Sequence, residues 1–497
     1  MSEQLTGTPA GPAQAGPVQD ILDRARRVPP VAGFPTVDEL VAWFDDLAEA
    51  HPDLVRRRRV GTSRLGEPIG MVSIGSGPRA HLLFAGVHPN EPIGFRTLQH
   101  LATELVDDPA LLAESNATWH LIGCIDPDGT RLNEAWFADP ADRIAYARRF
   151  YRPAPAEQAE WTFPFAHKDA FFDAVIPETQ TLMRVIDEVR PDLMVSLHNA
   201  ELGGVYYYLS EEVPGAVEAL HAVAPAMGLP LDTGEPEAPH LVRLAPAVFR
   251  AGSTRDDYEY LAGLGLDAAA MVAGEGSAEY ARRHGTVSLI AELPYWSHPS
   301  AEDTGPSGTP YAEVVRERAA ALSVMATALT ELLDEAAPDL TIRSPFLRAS
   351  ESFVPMMAGH GVAEGRRAAQ LAGTPEGDRV ATVAEVFSNQ DVVRCFRLRY
   401  GGMLLRALEA EVVAGVATAR VRRVHRQAEA LYARWAEEAR AGAAGLQVLD
   451  VSRLVGVQYG ATLAMSRLIG LRDGTLGPLA APAPATPDVP APAEARG

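Results

Sequence analysis

The sequence predicts an α/β protein: a mixed, mainly parallel sheet with helices on both faces, followed by a helical C-terminal domain. Three observations predict it. Between about 58 and 300, short apolar runs alternate with helical stretches, the pattern left by strands joined through crossover helices. After about 335 the strand-like runs stop, and apolar residues recur at helical spacing instead. The composition suits a sizeable core, since 47% of the 497 residues are apolar and 22% charged.

Taken in order, residues 1–18 are rich in Gly, Pro, Ala and Gln, and 477–497 carry six prolines. Neither segment can bury enough apolar surface to offset its ordering entropy, so both are expected to be disordered tails. Thr36-Val37-Asp38-Glu39 reads as a capping box, and Val37, Leu40, Val41, Phe44 and Leu47 follow at helical spacing. Four apolar runs come next: Ala80–Val87, Thr118–Ile125, Asp192–Leu197 and Val287–Ala291. Each is continuous enough to be a strand buried on both faces. Met403–Arg440 then has Leu404, Leu408, Val412, Val416, Ala419, Leu431 and Trp435 at spacings that predict one long helix. The expected organisation is an α/β domain over 19–335 and a helical domain over 336–476, between the two tails.

The charge excludes some partners. With 44 Lys+Arg against 65 Asp+Glu, the formal charge is -21, which repels phosphate backbones, so nucleic acid is not expected. The basic run Arg56–Arg59 reads as a solvated face. Arginines along 394–426 are expected on a salt-bridged helix surface, with an acidic partner or homo-oligomer contact through the C-terminal helices as the alternative. Two cysteines, Cys124 and Cys395, support neither a disulfide framework nor a cysteine metal site. No run of eighteen consecutive apolar residues and no signal-peptide pattern occur, so no membrane partner and a cytoplasmic location are expected.

In an open α/β sheet, ligands bind beyond the carboxyl ends of the strands. That rule selects His88 and Glu91 after the first run, His198 after the third and Glu292 after the fourth. Two histidines and a glutamate suit zinc, filling three tetrahedral positions and leaving the fourth open. Any one of the three is unremarkable; their joint placement at strand ends is the signal. A carboxylate following Val287–Ala291 is costly to bury unless paired or used, and Glu292 is expected to act as a general base. His284 and His298 are read as surface histidines. No nucleophile elbow, phosphate loop or dinucleotide fingerprint is present.

His88-Pro89-Asn90-Glu91, Asp126-Pro127-Asp128-Gly129, Ser196-Leu197-His198-Asn199 and Ala291-Glu292-Leu293-Pro294 resemble, in order, the motifs of the M14 zinc carboxypeptidases. Phe34-Pro35-Thr36, Trp43, His51-Pro52-Asp53 and Gly61-Thr62-Ser63 extend the resemblance over about residues 34–300. It implies the fold of those enzymes and one zinc ion held by His88, Glu91 and His198. It also implies that Glu292 activates the attacking water and passes a proton to the leaving amine.

One departure stands out. Where the family has an Asn-Arg pair whose arginine holds the substrate's terminal carboxylate, this chain reads Leu132-Asn133-Glu134-Ala135-Trp136. Asn133 and Glu134 are therefore expected near the substrate, with the arginine replaced by an anion. Arg131, Arg143 or Arg152 is expected to compensate or to steady the oxyanion, and Tyr280 to fall on the segment that shapes the specificity pocket. The substrate expected is a peptide, or, given Glu134, an N-acylated amino acid or other small amide. The reading from another class is a catalytically silent module that binds a peptide or partner protein.

Overall fold

The structure, a computed structural model, describes residues 15–477; of the tails expected at 1–18 and 477–497, residues 1–14 and 478–497 lie outside the described residues. Nine strands form the main sheet: β1 (Val55–Thr62), β2 (Pro68–Ile74), β3 (Arg79–Ala85), β4 (Ala117–Ile122), β5 (Leu193–Leu197), β6 (Tyr206–Leu209), β7 (Arg243–Ala245), β8 (Val248–Arg250) and β9 (Val287–Glu292). Their spatial order is β1-β2-β4-β3-β5-β9-β6-β8-β7. The four central strands, β4, β3, β5 and β9, are mutually parallel, and they are the four apolar runs of the sequence. Beyond them, β1 and β2 add antiparallel on one side, while β6 lies antiparallel to β9 on the other.

Alternation along the strands assigns the two faces. In β3, Leu82 and Phe84 join Met194 and the helix α5 (Pro177–Val189) through Leu182, Val185 and Ile186. Leu83 and Ala85 face the opposite layer with Val195 and Leu289. There they meet α3 (Ile93–Asp107), α6 (Ala216–Ala226) and α11 (Val451–Arg472). Each fully buried Leu or Phe in these layers contributes roughly 1.5–3 kcal/mol relative to exposure.

Other helices frame this core. α2 (Val37–Ala50) begins with the expected capping box, the Thr36 side chain bonding the backbone at Glu39 and the reverse. α4 (Arg143–Arg149) is short. After the sheet come α7 (Tyr311–Ala336), α8 (Pro345–Leu371), α9 (Val383–Val413) and α10 (Ala419–Ala441), a helical C-terminal region as expected.

Several boundaries differ from expectation. α1 (Ala15–Ala25) starts inside the predicted N-terminal tail; the proline at 17 sits in its first turn, where a missing N–H costs nothing. The single helix expected over Met403–Arg440 is broken at 414–418, where Gly415 takes φ +75° and α10 turns back against α9. The helical residues after 335 do not pack as a unit of their own, because α11 crosses back to lie on β5, β9, α3 and α6. By length and composition α11 could cross a membrane, but most of it is buried against the sheet, which makes it a core helix.

Arg57, Arg58, Arg397 and Arg423 lie on solvated, salt-bridged faces as expected, whereas Arg399 forms a buried pair. Arg57 and Arg58 on β1 pair with Asp45 and Glu188. In the C-terminal helices, Arg397 pairs with Glu438, Arg423 with Glu335 and Arg399 with Glu201, so much of that positive charge is compensated within the chain.

Candidate active site

The carboxyl ends of β3, β5 and β9 converge, and with them three of the predicted segments. Gly94 allows this close approach: a Cβ there would lie 2.7 Å from Leu197 Cβ and 2.8 Å from Ala85 Cβ. The first turn of α3 can therefore rest directly on β3 and β5. Asn199 reinforces the junction, its Oδ1 accepting from the Ile93 N–H at 3.2 Å.

His88, Glu91 and His198 each offer one ligand atom, all within 4.8 Å of one another, and all three residues are buried. Glu91 Oε2 lies 3.2 Å from His198 Nδ1 and accepts from the Asn199 N–H at 3.1 Å. His198 Nε2 lies 2.7 Å from Ser196 Oγ; with Nδ1 facing the carboxylates, the Nε2–H donates to the serine, which fixes the ring's orientation. His88 Nδ1 is buried with no hydrogen-bond partner. A buried imidazole nitrogen without a partner is costly, and a metal ion is the occupant this donor set fits: two imidazoles and a carboxylate, as zinc prefers.

Around this set the charges are unbalanced. Glu292 Oε1 stands 3.8 Å from His198 Nδ1, and the carboxyl is held well above its ordinary range by burial and then by Glu237, with His198 opposing. Burial would lower His198, but the hydrogen bond it donates to Glu91 and the charges of Glu292, Glu91 and Glu160 push it up to about 9. His88 is driven well below its usual value by burial and by Arg152. A bound dication would compensate this excess of buried carboxylates, which is a second respect in which the residues fit a metal.

Arg152 is the predicted arginine that reaches the set. Its Nη2 lies 3.3 Å from Glu91 Oε1, its Nε–H donates to Gln158 Oε1 at 3.1 Å, and its guanidinium lies 5.4 Å from the centre of the Trp161 ring. Trp161 in turn meets His88 edge to face, centroids 5.2 Å apart.

The other predicted residues are occupied elsewhere. Arg131 is a half-buried surface pair with Glu67 and Asp38. Arg143 is buried and fully engaged, bidentate to Asp391 of α9 at 2.9 and 2.6 Å and bonded through Nε to Glu201 at 2.7 Å. Asn133 donates to the Gly129 and Tyr151 carbonyls and accepts from Tyr151 N–H and Trp136 Nε1–H, leaving it no free polar group for a substrate. Glu134 accepts from Val37 N–H at 2.8 Å, so the anion in place of the expected arginine caps the start of α2. Tyr280 donates to Asp187 of α5 at 2.8 Å, with Arg283 stacked 3.6 Å over its ring.

Sequence reasoning missed four contributors. Ser196 lies inside a recognised motif, but nothing local marks its hydroxyl as the partner of His198. Glu160 is buried beside the set, its Oε1 accepting from Ser277 N–H and Oγ–H while Oε2 has no partner. Glu237 accepts from Tyr206 and Tyr208 at 2.8 and 2.7 Å; Tyr206 is the cross-strand partner of Glu292. The Tyr206-Tyr207-Tyr208 run was the available signal for that wall. Gln458, a lone amide in the apolar α11, is the fourth.

Comparison with known proteins gives the family. The family model for zinc carboxypeptidase, Peptidase_M14, matches residues 40–289, half of the chain. No curated protein matches. Similar solved structures include a carboxypeptidase A from Helicoverpa armigera, 14% identical over 72% of this chain and 80% of that one, with a TM-score of 0.32. The bovine thrombin-activatable fibrinolysis inhibitor, in complex with a tick carboxypeptidase inhibitor, is 14% identical over 68% and 97%, at a TM-score of 0.33. A metallo-carboxypeptidase from Burkholderia cenocepacia is 15% identical over 52% of this chain and 60% of its own length, at 0.30. On the family match, this chain belongs to the M14 zinc carboxypeptidases and is a hydrolase of that type.

Proposed function

We propose that the chain hydrolyses peptide bonds next to a free terminal carboxylate, with one zinc ion held by His88, Glu91 and His198 and Glu292 as the general base. The observation that carries this reading is the convergence of three buried ligand atoms within 4.8 Å, with Glu292 Oε1 3.8 Å from one of them. Zinc, when bound, supplies Lewis acidity at the scissile carbonyl and acidifies the attacking water.

The chain's own residues do the rest. Glu292 takes the proton from the attacking water and delivers it to the leaving amine, which its position beside His198 supports. Arg152 offers its guanidinium to the substrate's anionic oxygens, the fork-shaped cation that Glu134 does not supply. Trp161 packs against both Arg152 and His88, which holds the guanidinium beside the metal ligands.

The test is product analysis by mass spectrometry, using peptides with free and amidated C-termini and N-acyl amino acids. Release of single C-terminal residues from free peptides is expected, and Glu292→Gln should lower kcat by at least about 10²-fold without loss of zinc stoichiometry. Cleavage of N-acyl amino acids alone, or undiminished turnover by Glu292→Gln, would overturn the reading.

A further inference from the structure

Gln458 lies on α11, far outside the residues 40–289 that carry the family match. Its side chain is 1% exposed and sits in the apolar run Val455-Gly456-Val457-Gln458-Tyr459-Gly460. A buried amide is unfavourable there unless every polar atom is bonded, and this one is bonded to the site's supports. Nε2 donates to the His198 carbonyl at 2.9 Å and approaches the Ala291 carbonyl at 3.5 Å. Oε1 accepts from Thr97 Oγ–H at 2.7 Å. Two carbonyl oxygens on one side demand the NH₂ group, and the hydroxyl on the other meets the oxygen, so the amide has one consistent orientation.

Those three contacts reach three different elements. His198 follows β5 and is a candidate ligand. Ala291 is in β9, immediately before Glu292. Thr97 is in the first turns of α3, six residues after Glu91. His198 lies one residue beyond the end of β5, where the strand no longer holds its backbone.

Resting on the site proposed above, we infer that Gln458 is a positioning residue: one amide from the C-terminal region that locks the backbones carrying Glu91, His198 and Glu292 into one geometry. It touches no reacting atom. Its effect runs through the peptide units of His198 and Ala291, so it should appear in metal affinity and in turnover together. The C-terminal helix is on this view a structural part of the active site, which makes the hydrolase unit discontinuous in sequence.

The test compares Gln458→Leu, Thr97→Val and Ser466→Ala in the full-length protein. Ser466 is on the same helix, but its hydroxyl bonds His81 Nε2 at 2.8 Å, in the first half of β3 away from the converging strand ends. Three measurements are made: zinc dissociation constant by chelator competition, kcat and KM on a free peptide, and amide hydrogen exchange of residues 196–201 in the metal-free protein. Gln458→Leu should weaken zinc binding about tenfold, lower kcat more than it changes KM, and speed exchange in 196–201. Thr97→Val, which frees Oε1 and lets the amide turn, should move all three in the same direction by less. Ser466→Ala should lower the melting temperature and move none of them.

Zinc affinity and exchange within twofold of wild type in both Gln458→Leu and Thr97→Val would overturn the inference, as would an equal effect of Ser466→Ala. If Gln458→Leu does not fold, Thr97→Val decides. A wild-type protein that binds no zinc would overturn the metal site instead, and the exchange of 196–201 in metal-free protein would still decide the role of Gln458.

Discussion

His198 Nδ1 lies 3.2 Å from Glu91 Oε2, a contact that is attractive only while a proton or a metal ion sits between two lone-pair donors. With His88 Nδ1 also free, zinc should replace that proton and bind the folded chain alone. At a free concentration of one hundred times its dissociation constant it should add about 2.7 kcal/mol of stability. At roughly 1 °C per kcal/mol for 497 residues, since the unfolding entropy grows with chain length, scanning calorimetry should read a rise of about 3 °C, reversed by a chelator. Equal melting temperatures with zinc and with chelator would contradict the site, and His88→Ala should remove the difference.

Arg152 supplies the second prediction. With Nε–H donated to Gln158 Oε1 and Nη2 beside Glu91 Oε1, Nη1 is the part of the guanidinium left for the substrate, and hydrogen bonds to charged groups are worth about 1.5–3 kcal/mol. Arg152→Met should thus lower kcat/KM on free peptides by roughly 10- to 150-fold. It should also collapse the preference for free over amidated C-termini. Arg152→Lys should recover little, since a point charge does not reproduce the fork. Kinetics in which the preference survives Arg152→Met would refute this role.

How far the sequence reached depends on what kind of contact fixes each residue. The four central strands were legible because burial on both faces makes them continuous apolar runs, and the rule that ligands lie beyond their carboxyl ends selected His88, Glu91, His198 and Glu292 together. The arginines were not legible. Arg131, Arg143 and Arg152 all lie downstream of Pro127-Asp128-Gly129, and what separates them is partners distant in sequence: Glu67 and Asp38 for the first, Asp391 and Glu201 for the second. Glu134 misled for the same reason, its partner being the Val37 N–H. Gln458 needed knowledge that α11 returns to the sheet, which periodicity within one helix does not contain.

The distinction between Arg143 and Arg131 is measurable as stability. Arg143 pairs with Asp391 with both side chains under a tenth exposed, so Arg143→Met strands buried carboxylates and should cost about 3–5 kcal/mol. Arg131, a third exposed and paired to a largely exposed Asp38, should cost about 1 kcal/mol or less when changed to Met. Denaturant midpoints at constant m should show this ordering. Similar losses for the two variants would mean that the α4–α9 ion pair does not tie the C-terminal region to the sheet domain.

His81 sets a dependence on acid. It is fully buried in β3, with one ring nitrogen bonded to Ser466 and the other unpartnered, and burial, then Arg79, lowers its pKa from 6.5 to about 3. The folded state therefore resists protonation that the unfolded chain accepts below pH 6.5. The sign follows: stability is fully present above pH 6.5 and is lost as pH falls toward 3, at up to about 1.4 kcal/mol per pH unit. Replacing His81 by Asn, which does not titrate, should lower stability near neutrality through imperfect packing, yet flatten its pH dependence between 6.5 and 4. Urea titrations of wild type and His81→Asn at half-unit steps would show the two curves converging as the solution is acidified. Parallel curves would mean that the acid sensitivity arises from another group.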